Sequence, residues 1–441
     1  MNSKELLQKS IVENMSEAVM VIGFDGAISF ANPAAEEMLG FSEDGLAGKK
    51  FAALFFDDPA NDGFSQAVLD AVYERNVKHQ SLVVYHRKDR AINLRVTSSY
   101  LHEGKERIGI IIVMSDLTEL TDTRDALRRF LSDDIVKQLF DTPEGMKVGG
   151  KKQVLTVMMS DLRGFTAMSE RLDPADLVLM LNHYLGEMTE VIQENRGTII
   201  EFIGDGIMAI FGAPEPTQTH ATDAVVAALC MQERMEEINR WNKEHDLPVL
   251  EMGIGLNTGE VIVGNLGSEK RTKYGVVGSN VNLCGRIESY TVGGQILIPS
   301  STSSMIDAKL EIAKKMTVYP KGAKGELELS QVTGIGEPYD IHVQMSDSIL
   351  QQLDVSIPVG FFKLEGKHEI ARKYYGGITA VSRDGACLES DTKLEVYDNI
   401  QIDAGGRLFC KVTDVKDGGY ILQYTSVPTG YAAWLKEVRK A

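Results

Sequence analysis

The sequence has few of the residues that build metal clusters and disulfide frameworks. Its 441 residues contain four cysteines and eight histidines. The cysteines form no CxxC pair and the histidines no HExxH motif, spacings that are typical of zinc sites. The sequence therefore indicates neither a zinc site nor a disulfide framework.

Two further shortages restrict the partners of the protein. Acidic residues outnumber basic ones, and the formal net charge of −17 argues against a nucleic-acid or anionic-membrane surface. The apolar run at residues 108–114 is much shorter than the ~20 residues of a membrane-spanning helix, and no signal-peptide pattern occurs. We expect a cytoplasmic protein of about three domains at ~150 residues each, with no nucleic-acid or membrane partner.

What the chain does contain is organised around residues 198–212. This stretch predicts two short strands joined at Asp205-Gly206, a dipeptide typical of tight hairpins. Strand side chains alternate with a period of two, which places Ile199 and Ile203 on the same face as Glu201. The two carboxylates are consistent with a charge-protected edge strand and a turn aspartate, or with a ligand site.

A second stretch, residues 154–166, favours the ligand site. It predicts a buried strand that ends on Asp161 and opens into a glycine-containing loop. Asp161 and Asp205 both lie where a strand gives way to a turn, and two aspartates so placed can bind a pair of Mg²⁺ or Mn²⁺ ions, which take oxygen ligands. The loop after Asp161 can offer backbone N–H groups to phosphate oxygens.

Strands are predicted at residues 251–256 and 260–265, separated at residues 257–259. Residues 273–286 supply a third motif, in which a strand passes through Gly278 into a helix. Asn282 and Arg286 are four residues apart, so they share one helix face. That face is either a solvated polar stripe or a site at which the planar guanidinium meets phosphate oxygens. With these motifs in this order, residues 130–340 resemble the class III nucleotidyl cyclases, the adenylate and guanylate cyclases.

The resemblance implies a ferredoxin-like catalytic domain at residues 150–345. The implied reaction is attack of a ribose 3′-oxygen on the α-phosphorus of a nucleoside triphosphate, which expels pyrophosphate. In the family, the positions of Asp161 and Asp205 bind two divalent cations, Mg²⁺ or Mn²⁺, and the backbone carbonyl of Leu162 adds a ligand.

The same resemblance assigns the substrate-binding positions and implies a homodimer with two sites that each draw on both chains. Asn282 orients the ribose and Arg286 neutralises charge at the α-phosphate. Lys324 matches the lysine that binds the terminal phosphates, although one extra residue in the spacing leaves Lys321 open. The loop that binds the phosphates through its backbone comprises Gly164, Phe165 and Thr166.

Glu201 and Gly275 match the positions that read the purine base. A carboxylate accepts hydrogen bonds from the N1–H and N2–H₂ edge of guanine, whereas adenine presents an acceptor at N1. Glu201 therefore favours GTP, since adenylate-specific members carry lysine at this position. Gly275 departs from the cysteine, threonine or serine often seen in guanylate cyclases, so ATP or relaxed selectivity remains the alternative.

A function of another class is a catalytically silent nucleotide- or partner-binding scaffold. Degenerate cyclase domains usually lose a metal aspartate or the arginine. This chain retains both aspartates and Arg286, which favours an active enzyme.

Residues 6–118 resemble a PAS sensor domain. Two strands flank Asp25-Gly26, Asn32-Pro33 starts a helix, and three alternating strands follow before Asp116-Leu117-Thr118, which matches the tripeptide that ends many PAS domains. The resemblance implies a sensor whose ligand the sequence leaves open.

The N-terminal unit has no cysteine, which argues against flavin-adduct chemistry. Its histidines, His79, His86 and His102, are expected to be polar strand or turn residues, with a haem ligand as the alternative.

Residues 119–145 predict a helical signalling linker between the two domains. An apolar seam includes Leu120 and Leu127, and Ser132 is expected to cap a second helix. The linker can otherwise be an ordinary amphipathic helix that packs on a neighbouring domain.

Residues 350–441 predict a small β-barrel followed by a helix. Alternating runs occur at residues 386–388, 394–397, 406–412 and 420–424, and glycine-containing turns separate them. No partner for this domain follows from the sequence.

This C-terminal domain resembles, in part, the PilZ family, which includes cyclic-diguanylate receptors. Ser382 and Gly385 match part of the second PilZ motif. Ala380 stands where an acceptor is expected, and His368 precedes Arg372 where the family has an arginine. An interaction module is therefore the expectation.

Overall fold

A computed structural model of the chain describes residues 7, 10–41, 45–73, 79–128, 131–142, 145–320, 325–343, 349–365, 368–416, 418–428 and 430–438. The chain forms two compact units, one that ends at Leu131 and one that begins at Ser132. Among the described helices, none is both long and apolar enough to cross a membrane.

The N-terminal unit is a five-stranded antiparallel sheet covered by helices. Its elements are β1 (Ala18–Gly23), β2 (Ile28–Ala31), α1 (Pro33–Leu39), α2 (Phe51–Phe55), a 3₁₀ turn (Pro59–Asn61), α3 (Asp62–Tyr73), β3 (His79–His86), β4 (Ala91–Glu103), β5 (Glu106–Asp116) and α4 (Thr118–Arg128). The strand order is β2-β1-β5-β4-β3. The Asn32 side chain caps α1 by accepting the Ala35 N–H, and Gly40 ends that helix in the left-handed conformation. The predicted PAS arrangement of two strands, helices and three strands is confirmed.

The second unit begins with α5 (Asp133–Asp141). Ser132 precedes this helix but its side chain makes no capping hydrogen bond, and its hydroxyl is buried without a partner among the described residues. The predicted cap is therefore wrong. Ile135 and Val136 bury the apolar face of α5, and this burial stabilises the helix without a cap.

The core of the second unit has a βαββαβ order. Its elements are β6 (Gly149–Leu162), α6 (Phe165–Ser169), α7 (Pro174–Glu194), β7 (Gly197–Ile203), β8 (Gly206–Phe211), α8 (His220–Glu244) and β9 (Met252–Ser268). The sheet order β9-β6-β8-β7 is that of the ferredoxin-like fold, as predicted. Apolar side chains of α7 and α8 pack against one face of this sheet, including Tyr184 and Leu229.

The core continues into β10 (Arg271–Val277), α9 (Ser279–Tyr290), β11 (Ile296–Pro299), α10 (Ser300–Ser303), β12 (Leu310–Val318), β13 (Leu327–Ile335) and β14 (Ile341–His342). The helix α9 packs on the opposite sheet face, where Ile287 meets Leu297 and Leu329. A side chain at Gly255 would collide with the backbone of Glu288, so this glycine permits the close approach of α9.

One predicted break in the core sheet is wrong. The sequence predicts two strands at residues 251–256 and 260–265 with a turn between them, but β9 is one continuous strand. It pairs with β6 from Met252 opposite Leu162 to Asn265 opposite Gly149. The ladder with β6, in which Gly259 pairs with Leu155, keeps Gly259 extended, against its local preference for a turn.

The C-terminal part is a closed six-stranded barrel with a final helix. Its elements are β15 (Gln351–Glu365), β16 (His368–Val381), β17 (Gly385–Glu389), β18 (Asn399–Asp403), β19 (Arg407–Lys416), β20 (Gly419–Ser426) and α11 (Tyr431–Val438). The order is β15-β16-β17-β20-β19-β18, and β15 pairs with β18 to close it. The predicted barrel is confirmed, but the strand predicted at residues 394–397 is wrong. Leu394 inserts into the barrel core from a turn, which explains its apolar character.

Candidate functional site

Asp161 and Asp205 converge at the middle of the core sheet. Asp161 is the penultimate residue of β6, and Asp205 lies in the turn between β7 and β8, of which β8 pairs with β6. Asp205 is 7% exposed, and its Oδ2 accepts the Leu162 N–H at 3.2 Å. Burial, followed by the negative charge of Asp161, raises the pKa of Asp205 to about 6.

The hairpin that presents Asp205 differs in two details from the prediction. The left-handed residue of the turn is Gly204, with a φ of 66°, and Gly206 already belongs to β8. A β-bulge between Ile199 and Glu201 interrupts the period of two. Ile199 therefore packs on the core, whereas Glu201 is exposed.

The carboxylate pair fits divalent cations. Two aspartates and the neighbouring Leu162 carbonyl offer only oxygen ligands, which Mg²⁺ and Mn²⁺ prefer. Burial and the negative charge of Asp161 make the ionised form of Asp205 costly, and a bound cation would remove this cost. Across the described residues, no group of three or more His, Cys, Asp or Glu side chains could bind a metal, so phosphate or water oxygens would complete the coordination.

Sequence reasoning missed an arginine and a glutamate beside this pair. The Arg163 Nη2 donates to the Asp161 backbone carbonyl at 3.2 Å and to the Glu288 carboxylate, and it lies 3.7 Å from Asp161 Oδ2. Burial is the main cause that raises the pKa of Glu288. Glu288 lies two residues after Arg286, so the two side chains occupy different faces of α9, and this spacing gave no signal for Glu288.

The sequence also missed that the C-terminal barrel lies against the candidate site. Lys411 of β19 is 3% exposed, and its Nζ donates to the backbone carbonyls of Ser289 at 2.6 Å and Thr291 at 2.8 Å, at the C-terminal end of α9. A cation at this end of a helix is favourable. Burial, and then the positive charge of Arg163, lowers the pKa of Lys411 to about 7.

The loop after Asp161 is in contact with the barrel as well. Gly164 has a φ of 68°, a conformation that favours glycine. A side chain there would also collide with the Thr425 carbonyl and come within 2.6 Å of Ser426 Cβ, both in β20. The loop and the barrel surface are therefore in direct backbone contact.

A cavity of about 280 Å³ lies between these two parts. It brings together six of the positions that the resemblance assigns to metal or phosphate binding, namely Asp161, Leu162, Gly164, Phe165, Thr166 and Asp205. Its other wall comes from the barrel and includes Asn399, Gln401, Arg407, Phe409 and Lys411. Of the other predicted site positions, the described ones, Glu201, Gly275, Asn282 and Arg286, do not line it.

The two positions assigned to the purine lie on neighbouring strands. Glu201 of β7 forms an ion pair with Lys273 of β10 at 2.8 Å, and both side chains are about half exposed. Gly275, two residues further along β10, is buried, and a Cβ at this position would meet no atom closer than 3.8 Å. Lys273 is a residue that sequence reasoning missed.

Asn282 and Arg286 occupy the exposed side of α9. Asn282 is exposed and Arg286 half-buried, and within the described residues Arg286 has no ion-pair partner. Both Lys321 and Lys324 lie outside the described residues.

The other candidates from the sequence have local partners. The rings of His79, His86 and His102 contact the Ser81 hydroxyl, the Ala60 carbonyl and the Tyr100 carbonyl. In the barrel, the Ser382 hydroxyl donates to Asp384 at 3.0 Å.

We predict that Asp161→Asn stabilises the metal-free protein and abolishes its stabilisation by Mn²⁺. Because the folded-state pKa of Asp205 lies above its ordinary value of 3.8, ionisation of Asp205 opposes folding increasingly from pH ~4 to ~6 and fully above that range. Removing the neighbouring charge should raise the melting temperature in EDTA at pH 7 by about 2–4 °C, the shift for ~1 kcal/mol in a domain of this size. Thermal melts with EDTA and with Mn²⁺ measure both effects.

The exposed Glu215 provides the control for this substitution. Glu215→Gln should leave both melting temperatures unchanged. A Mn²⁺-dependent stabilisation of the Asp161→Asn variant as large as that of the unmodified protein would contradict the metal site.

Comparisons with known proteins agree with this geometry. A family model of the adenylate and guanylate cyclase catalytic domain matches residues 148–334, and a PAS fold model matches residues 7–117. The adenylate cyclase of Anabaena cylindrica is 33% identical over 193 residues, which cover 42% of this chain and 37% of that protein. Adenylate cyclase 1 of Rhizobium meliloti is 26% identical over 267 residues, which cover 58% of this chain and 40% of that protein.

Among solved structures, the guanylyl cyclase Cya2 is 50% identical, with 45% of this chain and 100% of that chain covered and a TM-score of 0.44. The chain spans about 40% of the length of the two bacterial adenylate cyclases named above. Some of these relatives are named adenylate cyclases and one is named a guanylyl cyclase, so the comparisons do not distinguish ATP from GTP as the substrate. Residues 148–334 thus belong to the adenylate and guanylate cyclase catalytic domains, and a PAS fold at residues 7–117 precedes them.

Proposed function

We propose that this protein converts a purine nucleoside triphosphate, preferably GTP, into its 3′,5′-cyclic monophosphate and pyrophosphate. The observation that carries the proposal is the pairing of the partly exposed Asp161 with the buried Asp205, which line one cavity together with the loop at residues 164–166. This arrangement suits a triphosphate that arrives with divalent cations.

The residues divide the work by position. Asp161, Asp205 and the Leu162 carbonyl would bind two divalent cations, which lower the pKa of the attacking hydroxyl and offset negative charge on the leaving pyrophosphate. Asp205 stays oriented because its carboxylate accepts the Leu162 N–H. Arg286 would donate to the α-phosphate as its charge grows, and Asn282 would fix the ribose so that its 3′-oxygen attacks in line.

The direct test is incubation of the purified protein with Mn²⁺ and either GTP or ATP, followed by identification of the product by mass spectrometry. Cyclic GMP as the main product supports the proposal. Cyclic AMP as the main product would replace GTP by ATP, and nucleotide binding without any product would make the protein a scaffold.

We also propose that the active form is a homodimer. Arg286 and Asn282 lie outside the cavity that contains the two aspartates, so a site complete in one chain would have to draw on two separate surfaces. Large apolar side chains are exposed beside these surfaces, with Phe202 at 46%, Ile203 at 57% and Val277 at 48%. A partner protomer would cover them and bring its own Arg286 to the aspartates.

We predict that mixing two inactive variants, Asp161→Ala and Arg286→Ala, restores activity. Each mixed dimer would contain one site with all its groups, so a random 1:1 mixture should regain about a quarter of the original turnover. Steady-state assays of cyclic nucleotide formation measure this. A mixture of Asp161→Ala with Asp205→Ala is the matched control and should stay inactive, because both changes damage the same half of the site. Equal failure of both mixtures would contradict the shared site.

The preference for GTP rests on Glu201. Its carboxylate can accept from the N1–H and N2–H₂ of guanine. The ion pair with Lys273 holds this carboxylate on the open edge of β7 before any base arrives. Because Gly275 leaves space beside it, this position presents backbone groups to the base.

We predict that the double variant Glu201→Lys with Lys273→Glu loses the preference for guanine. The exchange keeps an ion pair between the strands but places a donor where the acceptor stood, so the site no longer matches the guanine edge. The kcat/KM for GTP should fall by at least ~10²-fold while that for ATP falls less or rises.

A charge reversal elsewhere on the sheet is the control. Glu260 and Lys152 form an exposed ion pair at 3.0 Å, and Glu260→Lys with Lys152→Glu should leave the GTP to ATP ratio unchanged. An unchanged ratio in the Glu201 variant would show that this residue does not read the base.

We propose in addition that the PAS domain regulates catalysis through the helix α4. None of the described residues of α4 is buried, and Leu120 is 48% exposed, so the helix has an unpartnered apolar side. In a dimer, two copies of α4 can pair, and a ligand that favours one pairing would change the placement of the two catalytic domains.

We predict that inserting one residue after Asp125 changes the turnover number far more than inserting seven. One residue rotates the following segment by ~100°, whereas seven restore nearly the same face. Measuring the turnover number and KM of both variants tests whether the orientation of α4 controls catalysis. Activity like that of the unmodified protein in both would mean that the helix is a passive tether.

A further inference from the structure

The face of the barrel that lies against the catalytic domain is polar for a structural reason. On β18 and β19, alternate residues fill the barrel core, namely Ile400, Ile402, Leu408, Cys410 and Val412. The residues between them point outward and line the cavity with Asp161 and Asp205, namely Asn399, Gln401, Arg407, Phe409 and Lys411. Strand alternation therefore gives the barrel one apolar interior and one outer wall directed at the candidate metal site.

This wall is fixed in place. The two hydrogen bonds of Lys411 join it to the end of α9, and the Tyr397 ring packs on Tyr290 of the same helix with 5.0 Å between ring centroids. Backbone contact between Gly164 and Thr425 closes the cavity on the other side. The wall thus has a defined distance from the carboxylate pair.

Two side chains of the wall have unused hydrogen-bonding capacity. Gln401 is 3% exposed, and its Oε1 has no hydrogen-bond partner among the described residues. Arg407 is exposed, and the part of the chain that the structure describes gives it no ion pair. Asp403, which lies opposite Arg407 across the strands, is instead paired with Lys373 at 2.6 Å.

The chemistry of the two walls is complementary to a metal-bound polyphosphate. The carboxylates on the catalytic side can bind cations. The guanidinium and the amide groups on the barrel side can bind anionic oxygens. The cavity, at about 280 Å³, has room for a group of the size of pyrophosphate.

We propose that the barrel is a wall of the substrate site and that Arg407 binds the terminal phosphates of the nucleoside triphosphate and then the pyrophosphate product. The inference rests on the proposed cyclase function. It adds a residue from the C-terminal domain to a site that the catalytic domain was expected to form by itself. Gln401 assists by turning its amide N–H₂ toward the same oxygens, and Lys411 positions the wall.

The test is calorimetric titration of the full-length protein with inorganic pyrophosphate in the presence of Mn²⁺, a measurement that needs no turnover. Arg407→Gln should weaken pyrophosphate binding by roughly 10- to 100-fold, the loss for a hydrogen-bonded charge. Arg407→Lys retains the charge but not the planar fork of the guanidinium. Its affinity for pyrophosphate should lie between that of the unmodified protein and that of Arg407→Gln. Binding of GMP, which lacks the terminal phosphates, should not change.

Lys416→Gln is the matched control. Lys416 is the last residue of the same strand, roughly 30 Å from Arg407 at ~3.3 Å per residue, and it is 69% exposed in an ion pair with Asp414. This variant should bind pyrophosphate like the unmodified protein.

The outcomes separate the two proposals. Unchanged or tighter pyrophosphate binding by Arg407→Gln would contradict the proposal that Arg407 binds the terminal phosphates. Tighter binding would show in addition that the barrel obstructs the site. Failure of the unmodified protein to bind pyrophosphate would overturn the proposal as well. Normal pyrophosphate binding that depends on Arg407, without any cyclic product from GTP or ATP, would instead reject the cyclase function and leave the wall in place.

Discussion

The close approach of Asp161 and Asp205 is the constraint on which the rest of the second unit depends. Burial and mutual repulsion make the pair costly in the absence of a cation, as the raised pKa of Asp205 shows. The pair persists because β8 pairs with β6 and the Leu162 N–H holds the Asp205 carboxylate. The core sheet, with helices on both faces, supplies the packing that offsets this local cost.

A second layer of charges connects the pair to the surrounding elements. Arg163 joins Asp161 to Glu288 on α9, and Lys411 of the barrel joins the end of α9. The strand that carries Asp161, the helix that carries Arg286 and the C-terminal barrel are therefore linked through a few largely buried charged groups. Movement of any one of them would alter the environment of the carboxylate pair.

The sequence predicted the presence of most helices and strands better than it predicted where they begin and end or what they contact. Capping and turn residues such as Asn32 marked real helix starts, because these signals act within a few residues. The strand break expected at residues 257–259 is absent, since pairing with β6 overrides the preference of a glycine for turns. Leu394 was misassigned for a related reason, because a buried apolar side chain can come from a turn as well as from a strand.

The sequence by itself indicated the cyclase family and the positions predicted to bind metal and phosphate, because Asp161, Asp205 and the glycine-containing loop are short-range motifs. Only the tertiary structure decided what lies near them. Arg163 and Glu288 are 125 positions apart, and Lys411 meets residues about 120 positions earlier. No local pattern encodes such contacts, since they depend on how separately formed sheets and helices pack, and the barrel wall with Arg407 exists only through that packing.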